Sequence, residues 1–210
     1  MTGRAVVGDD GNKRCPWGVS TPEYRFYHDT EWGRPEGEED RIYEKLCLEG
    51  FQSGLSWLTI LRKREGFRNA FAHFNPEVVA NFGEADVQRL LLDRSIVRHR
   101  AKIEAAIGNA RAVLDLRAQG SSLAGLVWAS EVPARRGPTS TADVPASTPQ
   151  SIELSAQLRR RGFRFVGPTT VYASMQSLGV VNDHLRDCHF RAAAEAERSV
   201  FTVPAYTAPA

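Results

Sequence analysis

The chain is short of the features that mark several large classes of protein. Three cysteines in 210 residues, Cys15, Cys47 and Cys188, are too few and too odd in number for a disulfide framework, and they suit a reducing compartment. No stretch approaches the ~20 apolar residues that cross a bilayer, and the opening residues MTGRAVVGDDGNKR hold no apolar core of signal-peptide length. A soluble, cytoplasmic protein is the expectation. Net charge is only +2, which permits nucleic-acid binding through a local basic patch without demanding it. Sustained apolar and polar alternation is also missing, as is any internal repeat, so the fold class expected is all-α. A hydrophobic content of 42% over this length suffices for one core in a single domain.

Against this background two pairs stand out at opposite ends of the chain: Cys15 with His28, and His184 with Cys188. Two thiolates and two imidazoles complete a tetrahedral Zn²⁺ set and leave no position for a catalytic water, so a metal there is a staple and not a catalyst. The i,i+4 spacing of His184 and Cys188 places both on one helical face, with Asn182 as its cap. Cys15 and His28 fall in a Trp-, Tyr-, Gly- and Pro-rich segment with few apolar contacts to hold it. Neither pair has a standard finger spacing, and two ordinary buried thiols beside solvated or core histidines fit the same residues. Cys47 reads as a buried thiol.

Helical periodicity recurs along the chain. Residues 39–50 carry Ile42, Tyr43, Leu46 and Cys47 at helical spacing, and Leu55–Leu61 form another apolar stretch. Asn75-Pro76 opens a short helix, 85–92 and 100–118 form two more, the second apolar through Ile103, Ala106, Ile107, Ala110, Val113 and Leu114, and Gly120 closes it. Gly167-Pro168 begins a further helix reaching Gly179. Residues 129–150, dense in Pro, Ser and Thr, read as a surface connection between two helical lobes. Residues 1–13 and 192–210 read as disordered tails around a single domain spanning 14–191.

Two further groups bear on function. The turn at 93–99 joins two helices, and the N–H groups opening the second can hold a DNA phosphate with help from Arg98, Arg100 and Lys102; a solvated basic turn is an equally good account of those charges. Trp17, Tyr24, Tyr27 and Trp32 lie within sixteen residues, followed by Glu49 and Trp57. Flat walls with one carboxylate suit an enzyme that stacks on a flipped base and reads its edge, and an aromatic mini-core under a metal clip is the structural alternative. Glu49 sits at the edge of its helix's apolar stripe, where in a partly dry pocket it favours a cationic ligand.

The blocks RCPWG, YHDTEWG, LCLEG, GLSWLTILRKRE, RHRAKI, IGNARA, RRGFRFVG and VNDH, running from about Arg14 to Cys188, resemble 3-methyladenine DNA glycosylase I, the constitutive alkylation-repair family of the helix-hairpin-helix superfamily. The resemblance implies an all-helical fold in which Cys15, His28, His184 and Cys188 bind one structural zinc. It implies a base pocket of Glu49, Tyr27, Trp57, Trp17, Tyr24 and Trp32, with Glu49 and Tyr27 nearest the chemistry, and Gln52 and Leu55 filling the gap left in the duplex. The activity implied is hydrolysis of the N-glycosidic bond of 3-methyladenine in alkylated double-stranded DNA by a monomer, releasing free 3-methyladenine and leaving an abasic site. N3 methylation already makes the base a cationic leaving group, so Glu49 is expected to select and position it while water attacks C1′. Ser95 and Ala101 depart from the family pattern, standing where glycine is expected; at Ser95 a turn needing φ > 0 would cost roughly 1 kcal/mol or more. A glycosylase for another damaged base, or a zinc-stapled DNA-binding module using the hairpin and Arg159-Arg160-Arg161, are the alternatives. A zinc deaminase is disfavoured by the closed ligand set and the missing H-x-E and P-C-x-x-C pattern.

Overall fold

The computed structural model describes residues 3–207, and helix dominates it. In chain order the helices are α1 (Pro22–Thr30), α2 (Glu39–Gln52), α3 (Trp57–Ala70), α4 (Pro76–Val79), α5 (Glu84–Leu92), α6 (Arg100–Ala118), α7 (Leu123–Trp128), α8 (Pro149–Arg160), α9 (Pro168–Ser177) and α10 (Arg191–Val200). Several begin where a side chain satisfies a first-turn N–H: Thr21, Ser56, Asn75, Ser122 and Thr148 each accept a backbone bond at the head of α1, α3, α4, α7 and α8. Proline at the first position of α1, α4, α8 and α9 pre-sets φ where no N–H acceptor exists. Strand structure among the described residues is one small ribbon, β1 (Val6–Val7) against β2 (Lys13–Arg14).

Helix α2 is the centre of the molecule because it is apolar on more than one face. Ile42, Tyr43, Leu46, Cys47, Leu48 and Phe51 are all buried, and α3, α6, α7 and α9 pack around it. Tyr43 anchors the crossing with α6 by donating to the Ala106 carbonyl at 2.8 Å. On α6 the buried stripe runs through Ile103, Ala106, Ile107, Ala110 and Val113, with Leu114 at its edge. Phe51, Phe67, Phe71, Phe74 and Phe82 form an aromatic seam from α2 to the α4–α5 link. That seam holds Ala72, His73 and Phe74 at φ of 49°, 54° and 57°, a left-handed turn that their side chains would not adopt without tertiary support.

The structure departs from sequence expectation at four places. Helix α8 starts at Pro149, inside the composition-defined connection, because Thr148-Pro149 is a cap followed by a first helical residue. His184 and Cys188 do not share a helix: residues 181–190 are turns and extended chain. The i,i+4 bond is not made: the Cys188 N–H bonds to the Leu185 carbonyl, Arg191 donates to the Asn182 and His184 carbonyls at 2.9 and 2.8 Å, and Asn182 Oδ1 accepts from the His184 N–H. The segment from residue 192 is not a free tail. Helix α10 buries Ala194 and Arg198, whose guanidinium donates to the Val132 carbonyl at 2.8 Å and to Glu131 at 3.1 Å, and Phe201 lies 4.5 Å from Trp128. At the other end, the β-ribbon orders part of the stretch expected to be a tail, with Arg14 clamped on Asp10 and Asp29. Residues 1–2 and 208–210 of the expected tails lie outside the described residues.

Candidate active site and metal cluster

A small satellite cluster of Cys15, Leu185 and Cys188, ringed by Ala5, Trp17, Trp32 and Phe190, is separate from the main core. Too little apolar surface is gathered there to hold two distant chain segments together by burial alone. What it contains is a set of four buried donor atoms, from Cys15, His28, His184 and Cys188, all within 4.8 Å of one another. His184 Nδ1 is 3.9 Å from Cys15 Sγ and 3.5 Å from Cys188 Sγ, and His28 Nε2 is 3.6 Å from Cys188 Sγ. The edges of a Zn²⁺ tetrahedron with usual bond lengths are roughly 3.3–3.8 Å, with sulfur-to-nitrogen edges of about 3.6 Å.

The outer ring nitrogens fix the tautomers. His28 Nδ1 meets Asp29 Oδ1 at 2.8 Å, and His184 Nε2 meets the Trp32 carbonyl at 3.0 Å. Both partners accept, so each outer nitrogen carries the proton and each inner one turns a lone pair toward the centre, the outer arrangement that orients metal-bound histidine. Bonding between the sulfurs raises the Cys15 thiol, with burial acting in the same direction, and lowers that of Cys188 against the opposing effect of burial. Gly18 and Gly33 make room: a Cβ would fall 2.7 Å from the His28 ring and 3.0 Å from that of His184.

The aromatic side of this cluster is also the wall of a cavity of about 410 Å³. Trp17, Tyr24, Tyr27, Trp32, Glu49, Gln52 and Trp57 all line it, so the residues read from sequence as a pocket converge on one space. Trp17 is the hub, edge-on to Tyr24 at 5.7 Å and to Trp32 at 5.1 Å, and Trp32 in turn packs 4.7 Å from His184. Tyr24 accepts the Leu58 N–H at 2.9 Å, tying α1 to the first turn of α3, and Tyr27 lies 5.6 Å from Trp57. Two polar groups here lack partners. The Trp57 indole N–H is buried without an acceptor. The Glu49 carboxyl is 6% exposed, with burial and a nearby Lys45 charge, not hydrogen bonding, setting its acidity. Burial pushes it up to about 7, and Lys45 pulls the other way. A buried carboxyl without a donor, on a residue that lines a cavity, calls for a ligand.

With this geometry in place, comparison with known proteins is direct. The sequence profile of the family described as methyladenine glycosylase matches residues 17–192. This chain belongs to the methyladenine glycosylase family. It is 46% identical to DNA-3-methyladenine glycosylase 1 of Escherichia coli (strain K12) over 178 residues, 84% of this chain and 95% of that protein. A crystal structure of 3-methyladenine DNA glycosylase I superposes with a TM-score of 0.81, covering 84% of this chain and 98% of the other at 46% identity. A variant of 3-methyladenine DNA glycosylase I in complex with 3-methyladenine matches with a TM-score of 0.79 at 34% identity, covering 85% and 97%.

In this methyladenine glycosylase the 93–99 turn is built differently from the sequence expectation. Ser95 has no positive φ; its N–H and hydroxyl both donate to Asp93 Oδ1, at 2.8 and 2.6 Å, so serine carries no strain. Ala101 sits in the first turn of α6, where its methyl is harmless. Lys102 is buried and turned inward, its ammonium donating to the Phe51 and Ser53 carbonyls at 2.9 and 2.6 Å, and so it closes the C-terminus of α2 and is not presented to a phosphate. Arg100 is exposed but paired with Glu84 at 2.9 Å, whereas Arg98 is exposed. No side chain caps α6. Gln52, which lines the cavity, donates to the carbonyl of the exposed Leu55 at 2.8 Å.

Sequence reading missed part of the lining. Thr141 and Val144 come from the 129–148 connection, which thus forms a wall of the cavity, and Ala173 and Gln176 come from α9. Asp183 is a second buried carboxylate at the cavity, but a satisfied one, accepting from Tyr172 and from Gln176 and Arg135 at 2.9 and 2.8 Å. The VNDH block places it beside a cluster residue, the one local signal of its position.

Proposed function

We propose that this protein is a DNA-3-methyladenine glycosylase of base-excision repair, hydrolysing the N-glycosidic bond of a 3-methyladenine turned out of alkylated double-stranded DNA. The observation that carries this reading is the buried Glu49 carboxyl, without a hydrogen-bond donor, facing a cavity walled by Trp17, Tyr24, Tyr27, Trp32 and Trp57. An alkylated cationic purine supplies what that space lacks. Its charge pairs with Glu49, its plane stacks on the rings, and a cation over Trp57 is worth ~1–2 kcal/mol in a desolvated site. An uncharged adenine forgoes both electrostatic gains.

Because the lesion is already a good leaving group, the pocket needs to hold it and to favour departure of the base, with water taking C1′ of an oxocarbenium-like sugar. Glu49 positions the cation and does not protonate it, and Tyr27 forms the wall beside it. Lys45, the nearest lysine to this wall, lies behind Tyr27 and outside the cavity lining, so free base and an abasic site are the products and no Schiff base forms. On the DNA side, Leu55 and Gln52 enter the gap left by the flipped nucleotide. The 93–99 hairpin offers Arg98 and the uncapped N-terminus of α6 to a phosphate, a helix-hairpin-helix arrangement acting as a monomer.

The four-residue cluster fits one Zn²⁺: donor types, spacing and tautomers agree, and four protein ligands close the ion to water. When bound, it supplies cross-linking and not Lewis acidity. It ties the N-terminal segment to the 181–190 loop and thereby fixes Trp17 and Trp32 in the pocket wall.

The test is incubation with DNA carrying 3-methyladenine and 7-methylguanine, with free bases separated by chromatography and borohydride added in a parallel sample. Release of 3-methyladenine with no protein–DNA adduct is expected. A folded, zinc-loaded protein that releases neither base overturns the proposal, and a trapped adduct overturns its hydrolytic mechanism.

A further inference from the structure

Lys45 is one helical turn before Glu49 on α2, but it faces a different space, a cavity of about 270 Å³ lined also by Glu31, Arg34, Glu44, Arg64 and Arg68. Its half-buried ammonium reaches the back of the aromatic wall. Nζ donates to the Tyr27 hydroxyl oxygen at 2.9 Å and lies 4.7 and 4.8 Å from the ring centroids of Tyr27 and Trp57. Charged groups surround it from every packed element: Arg41, Glu44 and Glu49 on α2, Glu31, Arg34 and Glu36 between α1 and α2, and Arg64 and Arg68 on α3.

Those charges sort themselves into pairs. Arg64 holds Glu31 in a two-point clamp and Arg68 holds Glu44 at 2.8 Å, with Arg41 on its other oxygen. The charges left over are Lys45, with no carboxylate bonded to it, and Glu49, with no donor bonded to it, on either side of Tyr27. In this poorly solvated wall each is the other's natural counter-charge.

We propose that Lys45 is a positioning residue that sets the charge state of the pocket: from behind the Tyr27–Trp57 wall its ammonium keeps Glu49 ionised in the empty enzyme, ready for a cationic base. By donating to Tyr27 Oη it also directs the tyrosine's own proton away from itself. The same ammonium repels the incoming cation through the ring wall, so its contribution is greatest at low pH, where Glu49 would otherwise be protonated, and fades where Glu49 is ionised regardless. Burial and neighbouring arginine pull Lys45 down to about 8, against the opposite pull of Glu49 and Glu31, so both partners titrate near neutrality.

The substrate named here rests on the glycosylase reading; the charge coupling does not. Lys45→Met keeps the length and apolar stem, and Lys45→Arg keeps the charge. The pH profile of kcat/KM on 3-methyladenine DNA is expected to rise through about 7 in the wild type, to shift upward by about one pH unit in Lys45→Met with little change in the high-pH plateau, and to return toward wild type in Lys45→Arg. In parallel, ¹³C NMR titration of the glutamate carboxyl carbons, with Glu49 identified through Glu49→Gln, reads the coupling without turnover. A Glu49 titration that does not move in folded Lys45→Met overturns the proposal. An inactive wild type whose Glu49 still moves overturns the glycosylase reading and leaves the coupling standing.

Discussion

Glu49 is a carboxylate whose energetics run against the fold when the pocket is empty. Its pKa is raised from an ordinary 4.5 to about 7 by burial, so the folded state binds a proton more tightly than the unfolded chain. The stability this confers is complete below about 4.5 and is lost as pH rises through 7, amounting to about 3 kcal/mol. Glu49→Gln is therefore expected to melt higher than wild type at pH 8 and nearly equally at pH 5, a difference that calorimetry reads directly. The same substitution should lower kcat/KM for 3-methyladenine release by about 10²-fold and abolish its rise through pH 7. A site that gains activity from a group that destabilises it is the ordinary exchange between function and stability.

At the level of elements, the turn between α5 and α6 separates charges that look alike in sequence. Arg98 is exposed, while Lys102, four positions on, is folded under the turn against the end of α2. Arg98→Ala should weaken DNA binding and reduce the salt slope of log K by about one, leaving the melting temperature unchanged. Lys102→Met should do the reverse, lowering stability by about 1–2 kcal/mol because two carbonyls lose their donor, while the salt slope of the folded variant stays at the wild-type value. Denaturant melts and binding titrations at several salt concentrations distinguish the two.

Across the whole molecule the segment carrying Cys15 and His28 meets the 181–190 loop at the cysteine and histidine cluster, braced from outside by α10. Arg191 donates to the carbonyls of Asn182 and His184, and Asn182 to Glu195 at 2.8 Å, so the C-terminal helix sets the loop that carries two of the four donors. Removing the zinc proposed here with a strong chelator should lower the melting temperature by several degrees and shift tryptophan fluorescence, because Trp17 and Trp32 pack on His28 and His184. Far-ultraviolet dichroism should change little, since α2 and its partners form a separate core. A chelated protein that keeps its melting temperature would sink the idea of a stapling metal.

Much of this was legible from residue types and spacing, because caps, prolines and 3.6-residue apolar patterns act locally. Asn75-Pro76 starts α4 and the Ile103 to Val113 stripe buries α6 without reference to the rest of the chain. The four Cys and His residues and the rings could be singled out by residue type, and the structure brings each set together. Contacts between distant segments had no such signature. Asp183 became a wall residue, Lys102 a helix brace and Lys45 a donor to Tyr27 only through packing, and α10 is held by a buried arginine where an apolar stripe would have announced it. The His184–Cys188 spacing predicted a helix that does not form: the Cys188 N–H bonds to the Leu185 carbonyl, and Arg191 takes the His184 carbonyl that a helix would offer to Cys188. Periodicity reports which face of a segment avoids water; which partner meets that face, and whether a charge finds a carboxylate, a carbonyl or solvent, is a property of the assembled three-dimensional arrangement.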